Sequence, residues 1–273
     1  MERNESLERN ESVHDSTPQN SDIHTMGEVS RWFETPQGRY VLEWEQRQYD
    51  NAVDDIFGFH AVQVGLPEAD FLRENRIPLK IRAGSEAGCS LAATPEHLPL
   101  ATHSVDLVVL PHVLEFSERP HQILREAERV LIPEGQIVIS GFNPLSLWGL
   151  KRRLGATLGW DNVDFPWHGR FIGLLRLKDW LTLLGFEING GRFGCYAPPF
   201  EQARWLERFD FMEKAGDRWW HIAGGTYVIR AVKRHHGLRI VTQPWREARI
   251  KRPSLVQVAR RDNVIHVRPI QRR

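Results

Sequence analysis

The chain has 273 residues, 41% of them hydrophobic and 26% charged, with a formal net charge of +1. That composition supports a globular protein with a sizeable core and names no partner through bulk charge. No apolar run approaches the roughly 18 residues that span a bilayer. The N-terminus lacks the apolar stretch of a secretory signal. The two cysteines, Cys89 and Cys195, are far apart with no CxxC spacing, which argues against a zinc site or disulfide framework. A soluble, cytoplasmic protein without metal is expected, with no membrane partner.

Charge is unevenly placed. Residues 1–29 hold seven acids against Arg3 and Arg9, net −5, and repeat Glu-Arg-Asn-Glu-Ser at Glu2 and Glu8. With so little apolar surface this segment cannot offset its ordering entropy and reads as disordered. Structure is expected from about residue 30. Val41, Leu42, Trp44, Tyr49, Ala52, Val53 and Ile56 suggest an amphipathic helix within 40–57, stopped at Gly58. Phe59 to Val64 reads as a strand ending at Gly65, Ala69 to Arg76 as a short helix and Leu79 to Arg82 as a strand. Cys89 to Ala93 is a further short strand. Val105 to Leu110 is apolar with little alternation, as in a strand buried on both faces. Pro120 to Leu131 is a helix with Ile123, Leu124, Ala127, Val130 and Leu131 on one face. Pro133-Glu134-Gly135 is a turn, and Gln136 to Phe142 is another buried strand.

Later elements are a helix at 177–184, a strand at 186–190, a helix at 200–214 and a final strand at 225–232. Alternating buried strands and helices imply parallel pairing with right-handed crossovers. The expectation is an α/β Rossmann-like, mostly parallel seven-stranded sheet with helices on both faces, over residues 30–232. Residues 233–273 carry twelve cations against Glu247 and Asp262, net +10. This tail reads as flexible, either solubilising or binding nucleic acid through phosphates.

Leu98-Pro99-Leu100, Ser104-Val105-Asp106-Leu107-Val108-Val109, His112-Val113-Leu114-Glu115 and Arg125-Glu126-Ala127-Glu128-Arg129-Val130-Leu131-Ile132-Pro133-Glu134-Gly135 follow one another over about fifty residues. This run resembles the class I S-adenosylmethionine-dependent methyltransferases of the type 11 domain. With Trp32, Thr35-Pro36, Gly38-Arg39-Tyr40, Phe57-Gly58-Phe59-His60 and Ser140-Gly141-Phe142-Asn143-Pro144, the chain is similar to their YafS-like branch. The resemblance implies S-adenosylmethionine as cofactor and an unidentified methyl acceptor as partner. It implies that the loop after Gly65 meets the cofactor's amino-acid end. The loop after Ala93, with Thr94, Glu96 and Leu98, would face adenine. Leu110, Pro111 and His112 would line the methionine portion.

The chain departs from the family pattern at three places. The glycine-rich turn is reduced to Gly65-Leu66-Pro67-Glu68-Ala69, and Pro67 supplies no N–H. The acid that usually ends the second strand is replaced by Arg82-Ala83-Gly84, with Glu86 nearby. The acid before the Leu-Pro pair is Thr94, leaving Glu96 as a substitute on the adenine side. Two functions follow, a working methyltransferase or a non-catalytic binding protein with a degenerate cofactor site. Glu115 either orients the His112 loop or begins a helix in solvent. Asn143-Pro144 reads as helix cap and first helical residue. Trp148 is substrate wall or core. The aromatic and acidic loop from Trp160 to His168 either covers substrate or is a surface loop. His168 and His221 both qualify as general base, and the sequence selects no catalytic residue.

Overall fold

A computed structural model describes residues 21–158 and 169–234, except Glu201, Asp210 and His221. The expectations about the Trp160–His168 loop, His221 and the basic tail beyond Arg234 lie outside the described residues. Helix α1 (Ser21–Phe33) begins ahead of the residue-30 start expected from sequence. Val29, Trp32 and Phe33 are buried there, which gives the helix an apolar face to offset its ordering. Helix α2 (Pro36–Val53) follows at once, with Thr35 as N-cap accepting from the Gly38 N–H and Pro36 in the first turn.

Next come β1 (His60–Val64), β2 (Leu79–Gly84), β3 (Leu91–Ala92) and β4 (Val105–Pro111). The short α3 (Val113–Phe116) and α4 (Pro120–Val130) lead to β5 (Leu131–Phe142). Then follow α5 (Leu147–Leu158), α6 (Leu174–Leu183), β6 (Phe186–Gly194), α7 (Ala203–Arg208), α8 (Phe211–Trp219) and β7 (Thr226–Lys233). The seven strands lie in the order β3-β2-β1-β4-β5-β7-β6. All neighbours pair parallel except β7, which runs antiparallel to both β5 and β6.

Two cores flank the sheet, as strand alternation requires. Ala61, Leu107, Val109 and Val138 face α1 and α2. Val62, Val108, Leu110, Ile137 and Ile139 face α4 and α6 through Ile123, Leu124, Leu177 and Leu181. The order of strands reverses between β1 and β4. At such a switch the loops leaving the carboxyl ends diverge and open a crevice.

Four expectations are corrected. Residues 69–76 form turns, not a helix. Gln63 donates to the Ala69 carbonyl and accepts from the Phe71 N–H, and Gln46 donates to the Asp70 carbonyl, side-chain bonds that compete with helical ones. The Pro133-Gly135 turn is carried inside β5. The strand advances from Leu131 to Gln136 while β4 advances from Val105 to Leu107, so the turn bulges out, with Glu134 at φ 65°. The single helix expected over 200–214 is two helices. Asn143 does not cap α5. Ser146 does, accepting from Gly149, while Asn143 donates to the Ile222 and Gly224 carbonyls.

Candidate cofactor cleft

A narrow cleft, partly open to solvent, lies at the carboxyl end of the sheet beside the β1/β4 switch. Gly65 contributes from the loop after β1, and Gly84, Ser85 and Glu86 from the end of β2. Pro95 and Glu96 follow β3, and Val113, Phe116 and Ser117 come from α3 and its exit.

The β1 loop reaches its shape with one glycine. Gly65 has φ 77° and Leu66 has φ 46°, so a leucine holds a left-handed conformation that ordinarily favours glycine. Buried Gln63 accounts for it. Its amide nitrogen lies 3.2, 2.9 and 2.7 Å from the carbonyls of Gly65, Leu66 and Ala69, and its carbonyl accepts from the Phe71 N–H. One side chain thus satisfies the inward-facing groups of the loop. The Gly65 N–H is used on the Ala83 carbonyl, 2.9 Å away.

Glu86 is the feature of this cleft that points to a ligand. Both its carboxylate oxygens are shut off from solvent and meet no donor among the described residues. A buried acceptor without a partner is costly. Burial, with Glu68 nearby, pushes its carboxyl above the usual range. Across the cleft, Ser117 Oγ donates to Glu96 Oε1 at 2.6 Å and ties its two walls together. A carboxylate offers about four acceptor directions, so Glu96 keeps capacity for a ligand.

Behind the α3 wall sits a buried charged group. His112 lies at the left-handed φ of 55° that starts α3. Its Nε2 is 2.8 Å from Glu45 Oε1 of α2, and its Nδ1 is 2.8 Å from Glu115 Oε2. Glu115 also accepts from the Phe142 N–H, and Glu45 from Ser140 Oγ at 3.5 Å. Burial works against a charged imidazole here. The two carboxylates outweigh it and push His112 up to about 10. Burial raises Glu115, partly offset by His112 and the Phe142 N–H. Around this group, Phe142 lies 4.4 Å from the His112 ring, 5.6 Å from Trp32 and 5.1 Å from Phe171, centroid to centroid.

The structure therefore brings Gly65 and Glu96 to the cleft but not the other expected site residues. His112 is buried, with both ring nitrogens engaged and its N–H on the Ser140 carbonyl. Leu110 packs in the α4-side core, and Pro111 is buried ahead of it. Leu98 is buried, its N–H held by Glu126 and its carbonyl by Arg129. Thr94 is exposed in a bridge to His97. Glu115 orients the His112 loop from a buried position. Trp148 is core, donating to the Ala197 carbonyl. Gln63, Glu45 and Phe116 were not singled out from sequence, and Glu86 was noted only as lying near the place of the missing acid. Among the described residues no group of three or more His, Cys, Asp or Glu could hold a metal, and no helix is long and apolar enough to cross a membrane.

A doubly wound sheet with an antiparallel β7, and a cleft at the β1/β4 switch, defines the class I methyltransferase architecture. The comparisons agree. A model described as "Methyltransferase domain" matches residues 72–139. YafS of Escherichia coli (strain K12) is 36% identical over 165 residues, which span 59% of this chain and 67% of YafS. The biotin biosynthesis bifunctional protein BioHC of Cellvibrio japonicus is 34% identical over 93 residues, 34% of this chain and 17% of that protein. The fold is similar to that of a SAM-dependent methyltransferase from Thermotoga maritima, with TM-score 0.53 and 19% identity, over 77% of this chain and 97% of that one. The chain belongs to the family of YafS, and its residues 72–139 match the methyltransferase domain.

Proposed function

We propose that the protein binds S-adenosylmethionine in this cleft and methylates an acceptor molecule, and that it does so in the cytoplasm. The observation that carries the reading is Glu86. An unpartnered carboxylate on the wall of a cleft suits a ligand presenting adjacent hydroxyl donors, such as the ribose of an adenosyl cofactor. The cofactor supplies a methyl group on a sulfonium, and transfer breaks that carbon–sulfur bond as the acceptor's bond to carbon forms. Glu86 accepts from the ribose hydroxyls. Pro95, Val113 and Phe116 offer apolar surface to the adenine ring, and Glu96 offers acceptor capacity at its edge. The β1 loop, fixed by Gln63, closes the amino-acid end. Alignment does much of the work in such a transfer, so a cleft that fixes the cofactor is the chain's main contribution. Both cysteines are free, as suits a reducing compartment.

Calorimetric titration with S-adenosylhomocysteine tests the reading. Saturable one-to-one binding is expected. Glu86→Gln, which removes a charge-assisted bond of about 1.5–3 kcal/mol, should weaken it roughly 10- to 100-fold. Absence of binding at millimolar ligand would overturn it. A second reading, a binding protein that has lost transfer, is favoured by the Gly65 N–H already committed to Ala83. Cofactor binding with no methyl transfer to any cell fraction would establish that reading instead.

A further inference from the structure

The buried Glu45–His112–Glu115 group takes no part in the chemistry above, yet it connects three elements and the segment at Arg170. Glu45 comes from α2, in the N-terminal helical layer. His112 and Glu115 belong to the start of α3, whose Val113, Phe116 and following Ser117 form one wall of the cleft. Glu115 reaches the Phe142 N–H and His112 the Ser140 carbonyl, both on β5. The Glu115 carbonyl also accepts from the Arg170 N–H at 2.8 Å. Helix α3 has only four residues and no side-chain cap, so its own hydrogen bonds cannot fix its position. It is held by the packing of Val113, Leu114 and Phe116 in the core and by the hydrogen bonds of the buried group.

We propose that Glu45 is a positioning residue, which through His112 holds the α3 wall of the cleft in the shape that receives the cofactor. Its effect on ligand binding rests on the reading of the cleft given above, whereas its effect on α3 does not. The link is a charged one. Facing the imidazole and its carboxylates are Glu45 and Tyr49 from α2, Glu115 from α3, Ser140 from β5, Arg152 from α5, Cys195 beyond β6 and Tyr227 from β7. The two carboxyl groups beside it favour the charged imidazole. Removing the Glu45 charge leaves Glu115 alone against burial, and His112 then gives up its proton at lower pH. Both ring nitrogens can donate only in the charged form, so at that point the charge-assisted bonds that anchor α3 become neutral and weaken.

Amide hydrogen exchange of Val113–Ser117 in the ligand-free protein tests this directly. With intrinsic exchange rates divided out, wild-type protection should be level from pH 6 to 9. In Glu45→Gln it should fall at least tenfold across that range, with the steepest change where His112 titrates. Protection equal to wild type throughout, or reduced by one constant factor at every pH, would overturn the proposal, since a packing defect alone has no pH dependence. Nitrogen NMR of the wild-type His112 ring covers the case of a variant that does not fold. Both nitrogens should carry protons at pH 8, and a neutral ring there would equally overturn it. Calorimetry with S-adenosylhomocysteine, run in parallel, separates the two ideas. Wild-type failure to bind sinks the cofactor reading, whereas equal binding by wild type and Glu45→Gln at pH 8 sinks the positioning role.

Discussion

Two loops leave the sheet at the switch point, and each is held by a buried polar side chain of a different kind. The β1 loop is clamped by Gln63, a neutral amide satisfying four backbone groups. The β4 loop is clamped by His112 between two carboxylates. A neutral clamp is indifferent to pH, whereas a charged one is a titration event tied to folding. The glycine-poor β1 turn therefore depends on a residue inside the strand, and the β4 wall depends on charge brought from α2. Neither loop is shaped by its own residues alone.

The largest effect is expected for His112→Ala, which leaves Glu45 and Glu115 buried without their cation. Loss of one partner of a buried pair costs about 3–5 kcal/mol, measurable by urea denaturation. The same anchor gives stability a defined pH dependence. The ordinary histidine value is 6.5 and the folded one about 10. Its contribution is therefore complete below pH 6.5 and is lost as pH rises through about 10. Glu115, also raised, acts with the same sign. Stability rising between pH 8 and 10 would contradict the charged clamp.

Gln63→Ala should cost somewhat less, about 2–3 kcal/mol for the buried backbone groups left unpaired. That loss should be the same at pH 6 and pH 9. Gln63→Glu sharpens the contrast, because a carboxylate pointing at three carbonyls must take up a proton to donate. That variant should regain stability as pH falls, and no such gain would break the comparison between neutral and charged clamps.

Glu86→Gln should weaken S-adenosylhomocysteine while leaving folding stability unchanged or slightly higher, because it removes an unpartnered buried carboxylate. For wild type, affinity should fall as pH drops through the raised Glu86 titration, since the protonated acid no longer accepts from both hydroxyls as an anion. The smallest effect belongs to Ser117→Ala, which removes the bond across the cleft to Glu96. A change in affinity of under about 1.5 kcal/mol is expected from one hydrogen bond, readable in the same titrations.

The sheet centre was legible because β4, α4 and β5 carry long apolar patterns that packing obeys. The resemblance between 98 and 135 named the family. The start of α2 was missed although Thr35-Pro36 is a cap-and-first-turn signal. Residues 69–76 have helical spacing, but Gln63 and Gln46 take up backbone groups there, and such long-range side-chain bonds leave no local trace. Glu45 could have been noticed, since it lies four residues from both Val41 and Tyr49 and so on the buried face of its own helix. His112 was placed in the site by motif position. Only the fold shows that its ring turns away from the cleft toward α2, while Glu86, two residues past the end of β2, turns in.

The central claim is that the Glu86 cleft is the adenosyl site. A crystal structure with S-adenosylhomocysteine tests it most directly. The account predicts both ribose hydroxyls within hydrogen-bond distance of the Glu86 carboxylate, with adenine against Pro95, Val113 and Phe116. A ligand seated elsewhere, or bound in this cleft with Glu86 still unpartnered, would contradict it.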